Sequence, residues 1–217
     1  MFNYRIGVLD DDDSKIIEVV DKLNHAFDHI PEYGNYTLAP VQIEVSTDKD
    51  ATVGEIMSQN IECMLVDYKL SSFKNAGYTG VEIANELWRH RKYLPVFMLT
   101  SFDEDMYVHE LFSAFQIFNY ERYLSDGREQ DDIHKKIVRE IEMNKKRIAE
   151  WERELIELLN HQGENAEVDS RIIELDSKLE SAIDRQNAIP FKTKQDLSES
   201  ALLRLVNTLD RLLEGND

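Results

Sequence analysis

Three short apolar runs in the first half of the chain end abruptly in acidic or hydroxyl side chains. They are IGVLDDDD from Ile6, CMLVD from Cys63 and VFMLTS from Val96. Apolar residues at consecutive positions indicate strands that are covered on both faces, which is typical of a parallel sheet. The carboxyl ends of parallel strands meet at one edge of the sheet. The sequence therefore predicts that several carboxylates and a hydroxyl converge at that edge.

Strand-like and helix-like segments alternate as far as residue 127. The predicted strands are Tyr4–Asp10, Val41–Val45, Cys63–Asp67, Pro95–Thr100 and Gln116–Tyr120, with helical periodicity over residues 16–23, 81–88 and 106–115. We expect residues 28–40 to be a long connection. This alternation predicts an α/β domain over residues 1–127, built on a doubly wound, five-stranded parallel sheet of the flavodoxin-like kind.

Beyond residue 127 the apolar residues follow a helical period. They form stripes over residues 133–158, 168–183 and 202–212, separated by a turn at 160–165 and by a break at 187–194 that contains Pro190. A narrow apolar stripe on a helix needs a partner surface. We therefore expect residues 128–217 to form a helical hairpin or a coiled-coil extension that serves interaction or dimerisation.

The charge of the chain argues against several classes of partner. The sequence has 43 acidic and 25 basic residues, a formal net charge of −18. Residues 126–217 have 15 Lys and Arg against 22 Asp and Glu, a balance of 15 − 22 = −7. Because such a chain repels phosphate backbones and anionic lipid, we expect neither a nucleic-acid partner nor a membrane partner.

The location expected from the sequence is the cytoplasm. Cys63 is the single cysteine, so no disulfide can form within the chain. We also expect no secretory leader, because the first thirteen residues have neither a basic start nor a small-residue cleavage site, and no apolar run reaches membrane-spanning length. Since Cys63 lies within an apolar run, we expect it to be a core residue rather than a nucleophile.

The acids at the strand ends suggest a metal-dependent chemistry. Clustered carboxylates repel one another, and a hard cation such as Mg²⁺ relieves that repulsion. A carboxylate beside Mg²⁺ can attack phosphorus and form an aspartyl phosphate. In this interpretation the carboxylates that follow the strands, at residues 10–13 and at residue 67, provide the metal ligands and the nucleophile, and a hydroxyl at the end of the strand that begins at Pro95 lies nearby.

Four motifs occur in order along the first half of the chain: VLDDDDSK, LVDYKL, GYTGVEIANELW and PVFMLTS. Because of these motifs, residues 1–127 resemble the receiver domain of bacterial two-component response regulators. The resemblance implies that Asp67 accepts a phosphoryl group from a histidine kinase or a phosphotransfer protein. It also implies that an acidic pair on strand one holds Mg²⁺ together with Asp67, and that Thr100 is the switch hydroxyl. A phospho-accepting signalling protein of this kind is not itself an enzyme.

The identity of the acidic pair stays open at this point. The helical pattern that begins at Ile16 favours Asp11 and Asp12, whereas the strand pattern that ends at Leu9 favours Asp10 and Asp11. Asp11 belongs to both. We expect at least one of the four consecutive aspartates to serve only the N-terminus of the following helix, where the helix dipole favours an acid.

The sequence departs from the receiver pattern at strand five. Receivers usually end that strand in a Lys-Pro pair, and this chain has FNYERYL at residues 118–124. The spacing from Thr100 makes Arg122 a candidate phosphate contact, because a guanidinium can bind phosphate through two hydrogen bonds. Ser101 is a second candidate. Tyr120 and Tyr123 are candidates for the aromatic switch of the family, and core packing is an equal alternative for both.

Two functions of different class remain open. One is a phospho-accepting switch whose output is protein–protein contact of the C-terminal helices, with a possible homodimer or an unknown protein as partner. The other is a pseudo-receiver scaffold that is not phosphorylated. A Mg²⁺-dependent phosphatase is disfavoured, since it needs an acid two residues after the nucleophile and that position is Lys69.

Overall fold

The computed structural model describes residues 1–101, 116–184, 188–189 and 191–197. The helix predicted over residues 106–115 lies outside the described residues, as does the helical stripe predicted over residues 202–212. The chain divides into two compact units, Met1–Lys145 and Lys146–Asp217.

The first unit contains a five-stranded sheet in which every neighbouring pair of strands is parallel. The strand order is β2-β1-β3-β4-β5. The strands are β1 (Phe2–Leu9), β2 (Tyr36–Gln42), β3 (Cys63–Val66), β4 (Val96–Thr100) and β5 (Ile117–Asn119). The predicted fold class, a doubly wound parallel sheet followed by helices, is confirmed.

Helices cover both faces of this sheet. One apolar layer packs α1 (Asp13–Asn24), α4 (Tyr120–Ser125) and the first part of α5 (Gly127–Leu159) against β1, β3, β4 and β5. The opposite layer packs α2 (Lys49–Ser58) and α3 (Gly80–His90) against the other side of the same strands. All residues of β3 and β4 are buried, which explains why those strands have no polar alternation.

The prediction for the second strand was wrong in position. The strand covers Tyr36–Gln42 instead of residues 41–45, and the expected connection at 28–40 contains most of it together with a short 3-10 helix, Pro31–Tyr33. Because β2 lies at the edge of the sheet, only Leu38 within it is fully buried. An edge strand also tolerates Pro40, which would be excluded from the middle of a sheet.

The sequence pattern also missed helix α2. Asp48 caps its N-terminus by accepting a hydrogen bond from the backbone N–H of Asp50 at 3.1 Å. Its buried residues are Thr52, Val53 and Ile56. Three buried positions within five residues give too weak a periodic signal to be recognised.

The beginning of α5 is part of the core of the first unit. Ile133, Ile137, Val138 and Ile141 are buried in the same apolar layer as Tyr123. The first unit therefore extends to Lys145, past residue 127, where the predicted domain ends.

In the second unit, the predicted turn at 160–165 separates the end of α5 from α6 (Ala166–Asp184). Gly163 has a φ of 85°, a conformation that glycine adopts without steric cost. After the turn, the guanidinium of Arg171 donates two hydrogen bonds to the carboxylate of Glu154, at 2.6 and 2.9 Å. None of the described helices has the length and apolar character needed to cross a membrane.

Candidate functional site

Three aspartates meet where β1 and β3 end. Asp10 and Asp67 follow the last residues of these strands, Leu9 and Val66, which are paired in the sheet. The backbone N–H of Asp67 donates to the carbonyl of Leu9 at 2.8 Å. Carboxylate oxygens of Asp10, Asp11 and Asp67 all lie within 4.8 Å of one another. The side chains thus form one acidic cluster, as the strand-end pattern predicts.

All three aspartates are buried, with 6, 3 and 3% of their surfaces exposed for Asp10, Asp11 and Asp67. Burial removes water, which would otherwise separate and solvate the charges. The pKa of Asp10 is raised to about 7, first by burial and then by the neighbouring charge of Asp67. The backbone N–H of Asp12 and the ammonium of Lys15 oppose that rise in pKa. The cluster therefore favours the binding of a cation.

The other two acids of the DDDD run belong to helix α1. Asp12 is the N-cap, and its carboxylate accepts a hydrogen bond from the backbone N–H of Ser14 at 2.9 Å. Asp13 lies in the first turn, is exposed, and pairs with Lys74 at 3.5 Å. Both acids are favourable there because they face the positive end of the helix dipole. The cluster thus contains Asp10 and Asp11, the pair that the strand pattern favours.

Asp67 has an oxygen that no described residue satisfies. Its Oδ1 is buried and has no hydrogen-bond partner in the described part of the chain. The pKa of Asp67 is raised by burial, while the charge of Lys15 and a hydrogen bond from Thr100 lower it. A buried carboxylate oxygen without a partner costs free energy. A ligand or a covalent partner at Oδ1 removes that cost.

Thr100 ends β4, the strand beside β3. It is fully buried, and a hydrogen bond from its hydroxyl lowers the pKa of Asp67. On its other side Thr100 is in register with Asn119 at the end of β5. The candidate site is therefore built from the ends of adjacent strands.

Lys15 also reaches the acidic cluster, and the sequence reasoning did not single it out. Its Nζ lies 3.9 Å from Oδ2 of Asp10 and 3.9 Å from Oδ2 of Asp67. With Asp12 as N-cap, Lys15 is the third residue of α1, where a cation opposes the helix dipole. That unfavourable position was the available sequence signal that Lys15 has another role.

The twelve-residue segment between Asp67 and Gly80 lies against the acids. The backbone N–H of Phe73 donates to Oδ2 of Asp11 at 2.5 Å. Leu70, Ala76 and Tyr78 are buried in the core. A cleft of about 520 Å³ opens here, lined by Asp11, Asp12, Asp13, Ser14, Val45, Phe73 and Lys74. Phe73 and Lys74 of this segment therefore form part of one wall of the cleft.

The remaining predicted site residues lie elsewhere. Arg122 is on α4 with an exposed side chain, and the described contacts do not connect it to the acidic cluster. Ser101 is exposed. Tyr123 is fully buried, and its hydroxyl is hydrogen-bonded to Nε2 of His134 at 2.9 Å. Tyr120 lies beside the site, with its ring 4.9 Å from Nζ of Lys15.

Comparisons with known proteins give matches among solved structures. No protein-family model matches the sequence, and no curated protein sequence matches it. The response regulator protein TrrA of Thermotoga maritima, in complex with Mg(2+)-BeF, is 21% identical with a TM-score of 0.40, over 62% of this chain and 98% of that chain. The lysine decarboxylase LdcF of Francisella novicida is 19% identical with a TM-score of 0.38, over 64% of this chain and 17% of that chain. At this level of identity and superposition, no activity is transferred to this chain from either protein.

The residues of the site fit a magnesium ion. Mg²⁺ prefers oxygen ligands and takes one or two carboxylates from the protein, completing its shell with water and phosphate oxygens. Asp10, Asp11 and Asp67 offer such oxygens within 4.8 Å of one another. The unpartnered Oδ1 of Asp67 is a further observation in favour of a ligand.

Proposed function

We propose that this protein is an atypical response regulator in which Asp67 accepts a phosphoryl group. The observation that carries the proposal is the buried cluster of Asp10, Asp11 and Asp67, in which Oδ1 of Asp67 has no partner among the described residues. A nucleophilic carboxylate needs an oxygen that is free to attack, and it needs nearby positive charge.

The reaction is a phosphoryl transfer without oxidation or reduction. A carboxylate oxygen of Asp67 forms a bond to the phosphorus of the donor while the bond from phosphorus to the leaving group breaks. With a phosphohistidine donor, the imidazole nitrogen keeps the electron pair, and the ring is left neutral when its other nitrogen carries a proton. The acyl phosphate that forms is an aspartyl phosphate.

The residues around Asp67 have separate parts in this transfer. Asp10 and Asp11, together with Asp67, would hold Mg²⁺, whose charge stabilises the oxygens of the transferring phosphoryl group. Thr100 is adjacent to Asp67 and can donate its hydroxyl to a phosphoryl oxygen. The Phe73 N–H keeps the Asp11 carboxylate in place.

The proposed donor is a histidine kinase or a phosphotransfer protein, and the proposed output is protein–protein contact. The described part of the second unit exposes large apolar side chains, among them Ile156 and Ile183. Residues 126–217 also have an acidic charge balance, 15 − 22 = −7, which disfavours DNA as the target. A second candidate is a scaffold that is not phosphorylated, which the exposed position of Arg122 favours.

The test is the intact mass of the protein after incubation with acetyl phosphate, with and without Mg²⁺. We expect a Mg²⁺-dependent mass increase of one phosphoryl group in the wild type and none in Asp67→Asn. Asp48→Asn is the matched control, because Asp48 caps α2 and should leave labelling intact.

Labelling that persists in Asp67→Asn would place the chemistry at another residue. If neither acetyl phosphate nor a phosphorylated histidine kinase labels the wild type, the unphosphorylated scaffold replaces the switch as the proposed function.

A further inference from the structure

Phosphoryl transfer to Asp67 increases the negative charge of a buried cluster. A phosphoryl group carries up to two negative charges and three acceptor oxygens. Asp10 and Asp11 already lie within 4.8 Å of Asp67. In such a site a fixed cation stabilises the transferring group far more than it would in water.

Lys15 is held where such a cation is needed. Its Nζ is 3.9 Å from one oxygen of Asp10 and 3.9 Å from one oxygen of Asp67, which is beyond hydrogen-bond length for both. The ammonium is therefore equally near to both carboxylates, and its N–H groups can donate hydrogen bonds to the oxygens of a phosphoryl group bound beside them.

Tyr120 and Glu18 keep this lysine in position. The ammonium lies over the ring of Tyr120 at 4.9 Å, and the hydroxyl of Tyr120 donates to Glu18 at 2.6 Å. Lys15 and Glu18 are three residues apart in α1, so one helix face holds both the lysine and the aromatic ring beneath it. A fixed ammonium loses little side-chain entropy when it binds phosphate.

Lys74 and Arg122, two other basic residues of the first unit, are placed differently. Lys74 pairs with Asp13, in the first turn of α1, at 3.5 Å. Arg122 has an exposed side chain on α4. Among the ion pairs of the described residues, Lys15 is the partner of Asp67.

We infer that Lys15 is the phosphoryl-contacting cation of this site and takes the role for which the sequence made Arg122 a candidate. The inference rests on the proposed phosphorylation of Asp67. In the unmodified protein Lys15 pairs with Asp10 and Asp67, and after the transfer its ammonium donates to the phosphoryl oxygens. The positive charge thus comes from the first turn of α1 and not from the end of β5.

The test compares Lys15→Gln, Lys15→Arg and Lys74→Gln in the full chain. The rate of labelling by acetyl phosphate is read from intact mass, and Mg²⁺ affinity is measured separately by calorimetry. We expect Lys15→Gln to label roughly 100-fold more slowly, since one preorganised donor to a developing charge contributes about that much. We expect its Mg²⁺ affinity to be equal or higher, because a competing cation has been removed. Lys15→Arg should restore most of the rate, and Lys74→Gln should label like the wild type.

Each other result has a definite meaning. Lys15→Gln labelling at the wild-type rate overturns the role of Lys15 and leaves the proposed function intact. If Lys15→Gln labels slowly but has also lost Mg²⁺ affinity or melts at a lower temperature, Lys15 is a structural residue and the inference is overturned. A Lys15→Arg variant that labels as slowly as Lys15→Gln also overturns the inference. A wild type that takes up no phosphoryl group overturns both proposals.

Discussion

The pair formed by Tyr123 and His134 shows how burial changes the chemistry of a single residue. The Tyr123 hydroxyl and Nε2 of His134 are 2.9 Å apart, and both side chains are fully buried. Burial lowers the pKa of His134 to about 4, because the imidazolium would lose its hydration. His134 is therefore neutral in the folded protein at neutral pH.

This shift predicts a loss of stability in acid. The pKa of His134 is about 4 in the folded chain and about 6.5 in the unfolded chain, so the unfolded chain binds the proton first as the pH falls. The contribution of His134 to the free energy of unfolding is complete above pH 6.5 and decreases below it. We expect it to fall by about 2 kcal/mol between pH 7 and pH 5.

The measurement is urea denaturation of wild type and His134→Gln at the two pH values. The difference between the two proteins is needed, because the raised pKa of Asp10 changes stability in the opposite direction over the same range. His161→Gln, at an exposed position in the turn at 160–165, is the control and should follow the wild type. An equal response of His134→Gln and wild type to pH would show that His134 is not buried as a neutral group.

At the level of elements, the start of α3 is pressed against the end of β3. A Cβ at Gly80 would lie 2.0 Å from the carbonyl oxygen of Asp67 and 2.7 Å from Cγ1 of Val66. Thr79 caps the helix and forms a reciprocal capping box with Glu82. The strand end that presents Asp67 is thus fixed by the backbone of the next helix.

We expect Gly80→Ala to destabilise the protein by about 1 to 3 kcal/mol, because the clash is with backbone and not with a flexible side chain. It should also reduce the labelling of Asp67, since the carbonyl must move. Gly54→Ala is the matched control: nothing lies within 4 Å of its added Cβ, and alanine in the middle of α2 should stabilise by about 0.5 to 1 kcal/mol. Thermal melts of both variants measure these effects, and a Gly80→Ala variant as stable as the wild type would contradict the close approach.

For the whole molecule, the first unit needs residues that the sequence assigns to the helical extension. Ile133, Ile137, Val138 and Ile141 have at most 4% of their surfaces exposed. Each buried side chain of this size contributes about 1.5 to 3 kcal/mol, and a domain is stable by only about 5 to 15 kcal/mol in total. The beginning of α5 is therefore a part of the first unit and not an appendage.

We predict that a fragment of residues 1–145 unfolds cooperatively and that a fragment of residues 1–127 does not. Circular dichroism melts and the binding of a hydrophobic dye distinguish a folded fragment from one with an exposed core. Intermediate fragments that end at residue 132 and residue 142 show at which length cooperative unfolding begins. We expect it in the longer of the two, which contains all four buried residues. Cooperative unfolding of the 1–127 fragment at the same temperature as the 1–145 fragment would show that α5 is dispensable.

The sequence was sufficient wherever a signal is local. Apolar residues at consecutive positions predicted β3 and β4 with boundaries correct to one residue, because a strand covered on both faces has no polar alternation. Since parallel strands end at the same edge, the position of Asp67 and Thr100 followed from the same pattern. The turn at 160–165 was readable from its polar residues and Gly163.

The tertiary structure decided whatever depends on neighbours from distant parts of the chain. Strand β2 was predicted too late in the chain because an edge strand is only partly buried. The role of Lys15 depends on Asp67 and Tyr120, which are 52 and 105 residues further along the chain. The stripe on α5 predicted a helix that needs a partner, but not that its first half packs on the sheet. The periodicity of apolar residues indicates that one face of a helix is buried, but it does not indicate which element covers that face. Hydrophobic burial is non-directional, so the covering element depends on the packing of the whole domain.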